Sequence, residues 1–302
     1  MTLFQIRESH IFKDARWLQP LSDLPSGKPL CREADLETMA LFLSDVFTTS
    51  QARNLFIYGK PGTGKTVCVQ YLLSEIRKHA EENHVPLIGV YVNAGKTRTP
   101  YYTMLEIVKA LGLDVPDRGW QMFRLKQAFE DARKDKAIVV AIDEVDSIIF
   151  KEKEPLVYYL NRQPKTTLIL VSNKIEDATG LPIRALSTLQ LKLFRLEPYT
   201  PQEAKTILAE RVEKALQRGA ISDKLLDIIA EVASKAEDIR LGFSTLLYAG
   251  LLAEKAGKTK VDAEDIKSAI QSETRLEQIK DQDRKLKAIK EQLAAIRARL
   301  RS

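Results

Sequence analysis

The glycine-rich segment at positions 59–66 has the clearest chemistry in this sequence, and it reads Gly-Lys-Pro-Gly-Thr-Gly-Lys-Thr. Its spacing is typical of a phosphate-binding loop, in which glycines let backbone amides wrap an anion at the start of a helix. We expect Lys65 to place its ammonium on the β- and γ-phosphates of ATP or ADP, and Thr66 to offer its hydroxyl to Mg²⁺. The residues predicted to bind the nucleotide here are Gly59, Lys60, Pro61, Gly62, Thr63, Gly64, Lys65, Thr66 and Val67.

Two adjacent carboxylates follow an apolar run at 137–142. Such a run predicts a buried strand, and ligands of open α/β sheets bind at the carboxyl ends of the strands. Asp143 is suited to hold Mg²⁺ through water. Glu144 is suited to polarise the attacking water, a general-base role that contributes roughly 10²- to 10⁴-fold in rate. The simpler alternative is a solvated strand end.

A second apolar run, at 166–172, ends in Asn173. An amide at this place could reach between the γ-phosphate and the attacking water. A lone asparagine is more often a turn former, so this assignment depends on the phosphate loop and the acid pair.

Short apolar runs alternate with helical patterns through the first two thirds of the chain. This alternation predicts an α/β fold, with a parallel sheet covered by helices on both faces. After Pro198 the sequence predicts only helices, over 201–217, 222–235, 241–256 and 262–272, so we place a domain boundary near 197. The five predicted strands are 54–58, 86–93, 137–143, 166–173 and 189–196.

Composition narrows the class of protein. The 302 residues are 44% hydrophobic and 29% charged, which is ordinary for a globular protein. Two cysteines and three histidines exclude a disulfide framework and a zinc-finger module. The low cysteine content favours a reducing, cytoplasmic setting. No apolar run approaches the roughly 20 residues that span a bilayer, so we expect no membrane partner.

The C-terminal segment 272–302 carries much of the formal net charge of +6. Leucine and isoleucine recur in it at heptad spacing, which predicts one basic amphipathic helix. Two interpretations stay open, self-association through this helix and packing on its own chain.

Four further stretches, with the phosphate loop and the acid pair, resemble AAA+ ATPases of the archaeal initiator family related to the eukaryotic origin-recognition and cell-division-control proteins. The resemblance runs from about residue 11 to residue 271. The stretches are Leu-Cys-Arg-Glu at 30–33, where histidine is usual in place of the cysteine, Tyr-Val-Asn at 91–93 with Thr-Arg-Thr-Pro-Tyr at 97–101, Pro-Tyr-Thr-Pro-Gln-Glu-Ala at 198–204, and Asp-Ile-Arg at 238–240.

The resemblance implies a nucleotide-binding AAA+ domain at 1–196, with a five-stranded parallel sheet, and a helical lid at 197–271. It implies slow ATP hydrolysis, with Asn173 as the first sensor and Arg240 as the sensor of the lid. Tyr199 would lie near the adenine. Arg184 would act across a subunit interface on self-association, a role that can contribute 10³- to 10⁵-fold in rate, although the family usually shows two arginines there.

The resemblance also implies duplex DNA at an origin and a replicative helicase as partners, hence a nucleoid-associated protein. Family members carry helices after the second strand that touch DNA, and here Lys96, Arg98 and Arg118 are the candidates in 95–121. A solvated charged loop is an equal alternative. The roughly 30 residues after the lid are too few for the family's winged-helix domain. Two other functions therefore stay open, a nucleotide switch acting on protein partners and a helper ATPase of a plasmid or mobile element.

Overall fold

The computed structural model describes residues 9–20, 24–47, 53–149, 156–180 and 187–272. Arg184 and the predicted basic helix after residue 272 lie outside these ranges. The chain divides into two compact units, one from residue 28 to 198 and one that joins residues up to 27 with those from 199 onward.

The first unit contains one five-stranded sheet in the order β2-β3-β4-β1-β5, in which every pairing is parallel. Strand β4 is buried along its whole length and β3 at all but its first residue, as expected for a sheet covered on both faces. The predicted five-stranded α/β fold is confirmed. The strands are β1 Leu55–Tyr58, β2 Leu87–Asn93, β3 Ala137–Asp143, β4 Thr166–Ser172 and β5 Lys192–Arg195.

Helices cover both faces of the sheet because side chains alternate along each strand. Phe56 and Leu170 pack with the cluster under α4, α5 and α6. Leu55 and Ile57 pack with the cluster under α1 and α2. The helices of this unit are α1 Glu33–Leu43, α2 Lys65–Glu82, α3 Ala94–Thr97, α4 Pro100–Ala110, α5 Met122–Ala132, α6 Leu156–Asn161 and α7 Glu176–Thr179.

The strand order positions the predicted chemistry. Strand β4 lies between β3 and β1, so the carboxyl ends of these three strands are neighbours. The phosphate loop follows β1, the acid pair closes β3, and Asn173 comes directly after β4. The three sequence signals therefore meet at one edge of the sheet.

The second unit is helical, as predicted after residue 198. Its helices are α8 Pro201–Ala215, α9 Asp223–Lys235, α10 Ile239–Lys255 and a last helical stretch over 263–272. Thr200 begins α8 with a capping box, in which its hydroxyl accepts from the amide of Glu203 and the Glu203 carboxylate accepts from the amide of Thr200. The expected helix start at Thr200-Pro201 is confirmed.

The predicted domain division placed the N-terminal residues with the sheet domain, and the structure differs from this division at the N-terminus. Ile11 and Phe12 are buried in the helical unit, where Phe12 forms an antiparallel bridge with Leu216. The approach is close, because a Cβ on Gly250 would lie 2.3 Å from the Phe12 ring. A short apolar pair carries no periodicity, so the sequence alone could not identify its partner.

In the described part of the chain, none of the helices combines the length and the hydropathy that a transmembrane span requires.

Candidate functional site

The phosphate loop joins β1 to α2 through a backbone that only glycine adopts freely. Gly62 and Gly64 have φ of +78° and +87°, and Gly64 is the N-cap of α2. Among the described residues no side chain caps this helix, so its first amides stay available to an anion. A Cβ on Gly59 would lie 2.4 Å from the carbonyl oxygen of Leu196, so the loop fits against the end of β5 only with glycine there.

Lys65 brings a positive charge into this loop. Its side chain is buried, and Nζ donates to the carbonyl oxygens of Gly59 at 2.6 Å and Lys60 at 2.8 Å. The ammonium and the N-terminus of α2 therefore meet in one small volume, which suits the phosphates of a nucleotide.

Asp143 is the most fully hydrogen-bonded carboxylate of the site. Its Oδ2 accepts from Thr66 Oγ1 at 2.7 Å and from Tyr91 Oη at 2.9 Å, and its Oδ1 accepts from the amide of Glu144 at 2.9 Å. Burial and the nearby Asp143 charge raise the pKa of Tyr91, so its hydroxyl stays protonated and donates.

The donor set around Asp143 fits Mg²⁺ bound together with a nucleotide. In the described part of the chain, no group of three or more His, Cys, Asp or Glu side chains could hold a metal alone. Mg²⁺ is commonly bound by one or two protein oxygens, with phosphate and water completing its octahedron. The Thr66 hydroxyl and the Asp143 carboxylate meet this requirement beside the loop.

Glu144 has an unusual backbone, with φ 51° and ψ 44°. The left-handed conformation is uncommon for a residue with a side chain, although six other described non-glycine residues also have a positive φ. Its carboxylate is exposed and accepts from Asn93 Nδ2 at 3.2 Å. It occupies space over Gly95, where a Cβ would lie 1.9 Å from Glu144 Oε2. An exposed carboxylate next to Asp143 can act on a water molecule.

Asn173 is exposed at the same edge of the sheet, one residue beyond β4. The preceding Ser172 is buried, and its hydroxyl donates to Asp146 at 3.3 Å and also contacts Asp177. These contacts hold the turn that carries Asn173. The side-chain amide of Asn173 faces solvent.

Three residues of this site receive no individual role from the sequence patterns, although they lie in stretches that resemble the initiator family. Tyr91 and Asn93 lie on β2, and the parallel register sets Asn93 beside Asp143. Arg32 is buried, and its Nη2 donates to the carbonyl oxygens of Thr63 at 2.9 Å and Glu197 at 2.5 Å. Period-two spacing could mark Tyr91 and Asn93 as one face of a strand, but only the strand order shows which strand they adjoin.

Arg240 and Tyr199 belong to the helical unit. Asp238 caps α10, and the Arg240 side chain returns to it, with Nε 2.8 Å from Asp238 Oδ1 and Nη2 2.5 Å from Oδ2. This hydrogen bonding raises the pKa of Arg240. Tyr199 is buried, and its carbonyl oxygen accepts from Ser234 Oγ at 2.8 Å.

The candidate DNA contacts are exposed. Lys96 lies on α3, Arg98 follows it with φ 59°, and Arg118 lies in the turn between α4 and α5. Trp120 is partly buried against the core, with the Arg124 guanidinium 4.2 Å from its ring centroid. The tryptophan is therefore a packed residue, whereas the three basic side chains face solvent.

The models of two protein families each match a part of the chain. Residues 48–176 match an AAA domain, and residues 205–271 match the Cdc6 AAA+ ATPase-type lid domain. The chain is 30% identical over 271 residues to the ORC1-type DNA replication protein of Pyrococcus furiosus, an alignment that covers 85% of this chain and 64% of that protein. The chain thus spans less than two thirds of this relative.

Solved structures agree with these matches. The Aeropyrum pernix ORC1 protein in complex with DNA is similar with a TM-score of 0.76 and 26% identity, over 87% of this chain and 70% of that one. The Aeropyrum pernix ORC2 protein, solved as ADPNP-ADP complexes, has a TM-score of 0.72 over 86% of this chain and 72% of that one. At 19% identity, the second likeness shows the fold alone.

Proposed function

We propose a function from the premise that the chain belongs to the AAA+ ATPases of the archaeal replication-initiator family related to ORC1 and Cdc6. The protein binds and slowly hydrolyses ATP with Mg²⁺, and it binds duplex DNA in an ATP-dependent way. The observation that carries the proposal is the meeting of Lys65, Thr66 and Asp143 at one edge of the sheet. Recruitment of a replicative helicase belongs to the same proposal and rests on family membership.

The proposed nucleotide site consists of the phosphate loop and the acid pair that follows β3. The amides of the phosphate loop and the Lys65 ammonium bind the phosphates, while Thr66 and Asp143 hold the cation. Bound Mg²⁺ would neutralise charge that develops on the phosphate oxygens. Glu144 accepts a proton from the attacking water at its carboxylate. The exposure of the Glu144 carboxylate beside Asp143 supports this role.

The sensor assignments are part of the proposal. Asn173 orients the attacking water from the end of β4, and its exposure beside β3 supports this role. Arg240 is assigned the role of γ-phosphate sensor of the lid, as the family resemblance implies. Tyr199 lines the adenine site. Arg184 acts on the nucleotide of a neighbouring subunit.

The DNA half of the proposal rests on exposed charge and on the similar ORC1 protein that was solved with DNA. Lys96, Arg98 and Arg118 contact phosphates, which positions the protein on the duplex without reading its sequence. Each phosphate contact releases counterions, so binding falls as salt rises.

Fluorescence anisotropy with a short labelled duplex tests this function, with and without ATP and Mg²⁺, at two salt concentrations. We expect binding that needs nucleotide, weakens with salt, and weakens further when Lys96, Arg98 and Arg118 are changed together to alanine. The matched control replaces Lys78, Lys134 and Lys136, three exposed lysines, of which Lys134 and Lys136 lie just before β3 at the amino edge of the sheet. Equal losses in both triple variants would contradict the assigned contacts. Normal nucleotide binding without DNA binding would favour the switch that acts on protein partners.

A further inference from the structure

We propose that Tyr91 is a positioning residue of the cation site, which holds Asp143 in the orientation that receives Mg²⁺ together with ATP. This inference rests on the proposed function and assigns a role to a residue outside the phosphate loop and the acid pair. The role follows from one contact, the hydrogen bond from Tyr91 Oη to Asp143 Oδ2 at 2.9 Å.

The sheet brings the two residues together. In the parallel register of β2 and β3, Tyr91 is the partner of Ala141 and Asn93 is the partner of Asp143. Tyr91 and Asp143 therefore share one face, a step of two residues apart along the strand direction. The small side chain of Ala141 leaves room for the ring, and the tyrosine is long enough to bring its hydroxyl to the carboxylate.

The ring also packs on a rigid part of the molecule. Tyr91 lies against the apolar cluster that holds Val69 and Leu73 of α2, the helix that begins at the phosphate loop. Its hydroxyl is thus fixed relative to the loop as well as to β3. A hydrogen-bond donor on such a support determines the orientation of its acceptor.

Tyr91 differs from the other donors to Asp143. The Thr66 hydroxyl belongs to the proposed cation site, so its oxygen must also face the ion. The amide of Glu144 belongs to the adjacent residue and binds the other carboxylate oxygen. Tyr91 is the side chain that restrains Oδ2 from outside the cation site. Its loss leaves Oδ2 held only by the Thr66 hydroxyl, which must also face the ion, so the orientation of the Asp143 carboxylate is less restrained.

The test is Tyr91→Phe, which removes the hydroxyl and keeps the ring. Binding of a fluorescent ATP analogue is measured in EDTA and then across a Mg²⁺ titration. Loss of a hydrogen-bond partner of a metal ligand typically costs 10- to 100-fold in metal affinity, so we expect the half-saturating Mg²⁺ concentration to rise about tenfold. Binding in EDTA should stay as in the wild type, because the loop and Lys65 are untouched.

The matched control is Tyr159→Phe. Tyr159 is a second partly buried tyrosine whose hydroxyl donates to a carboxylate, Glu130 Oε1 at 2.9 Å, and that carboxylate is on α5. We expect this variant to keep the Mg²⁺ requirement of the wild type. This control shows how the loss of a partly buried tyrosine–carboxylate hydrogen bond affects the protein when the carboxylate is not a proposed cation ligand.

Each outcome separates the role of Tyr91 from the proposed function. Normal wild-type binding with an unchanged Mg²⁺ requirement in Tyr91→Phe would overturn the role of Tyr91 and leave the function standing. Equal loss of binding in EDTA and in Mg²⁺ would also overturn it, since that loss indicates a structural role only. A wild-type protein that binds no nucleotide would contradict both.

Discussion

The Arg32 guanidinium lies 2.9 Å from the carbonyl oxygen of Thr63, inside the phosphate loop, and its Nη2 atom donates to that oxygen. The same nitrogen donates to the carbonyl oxygen of Glu197, and Nη1 lies 3.0 Å from Asp35 Oδ2. One buried side chain thus joins the phosphate loop, α1 and the end of the sheet unit. It follows that the loop depends on a residue some 30 positions earlier in the chain.

Replacement of Arg32 tests this dependence. Arg32→Ala leaves the buried carbonyl oxygen of Thr63 without this donor, and a buried unsatisfied group costs about 1–3 kcal/mol. We expect the free energy of unfolding in urea to fall by about that amount, and ATP affinity to fall with it. Arg32→Lys is the informative comparison, because lysine keeps the charge without the planar fork. Full rescue by lysine would show that charge alone is required.

Glu144→Gln separates chemistry from binding. The amide keeps the size of the side chain and loses the ability to accept a proton, so we expect turnover to fall roughly 10²- to 10⁴-fold at unchanged ATP affinity. Phosphate release under single-turnover conditions measures this. The control is Glu176→Gln, an exposed glutamate in the first turn of α7. Unchanged turnover in Glu144→Gln would show that another group accepts the proton.

The two cysteines should differ in reactivity. Cys68 is buried on α2, and burial raises its pKa to about 12, whereas Cys31 is half-buried. At pH 8 the Cys68 thiolate would be only about one molecule in ten thousand, and the thiolate is the reactive form. We expect one thiol per chain to react with a disulfide reagent in the native protein and two in denaturant. Rapid reaction of both thiols in the native protein would contradict the burial of Cys68.

The capping box of α8 gives a prediction for stability. Thr200→Ala removes the hydroxyl that accepts from the amide of Glu203, and loss of an N-cap costs about 1 kcal/mol. Denaturant unfolding of the full chain measures this. Thr38→Ala changes an exposed threonine inside α1, where alanine is the better helix former, so no loss is expected there. Equal losses in both variants would mean that the cap contributes nothing specific.

The sequence was sufficient for the parts of the site that lie close together along the chain. The phosphate loop and the acid pair are local patterns, and the alternation of strands and helices indicates where parallel strands end. The contact of Tyr91 with Asp143 could not be predicted, because it depends on β2 and β3 being neighbours. The hydrogen bond from Arg240 to Asp238, the N-cap of α10, depends on a side-chain rotamer that no sequence pattern predicts.

The proposed nucleotide site is tested most directly by the affinity for ATP in the presence of Mg²⁺, measured for the wild type, Lys65→Ala and the control Lys78→Ala. Lys65 supplies the buried charge of the loop, and hydrogen bonds to charged groups contribute about 1.5–3 kcal/mol, which is tenfold or more in affinity. We expect saturable binding by the wild type and Lys78→Ala, and binding by Lys65→Ala that is weaker by at least about tenfold. Equal affinity in all three proteins would contradict it, because the nucleotide would then bind elsewhere.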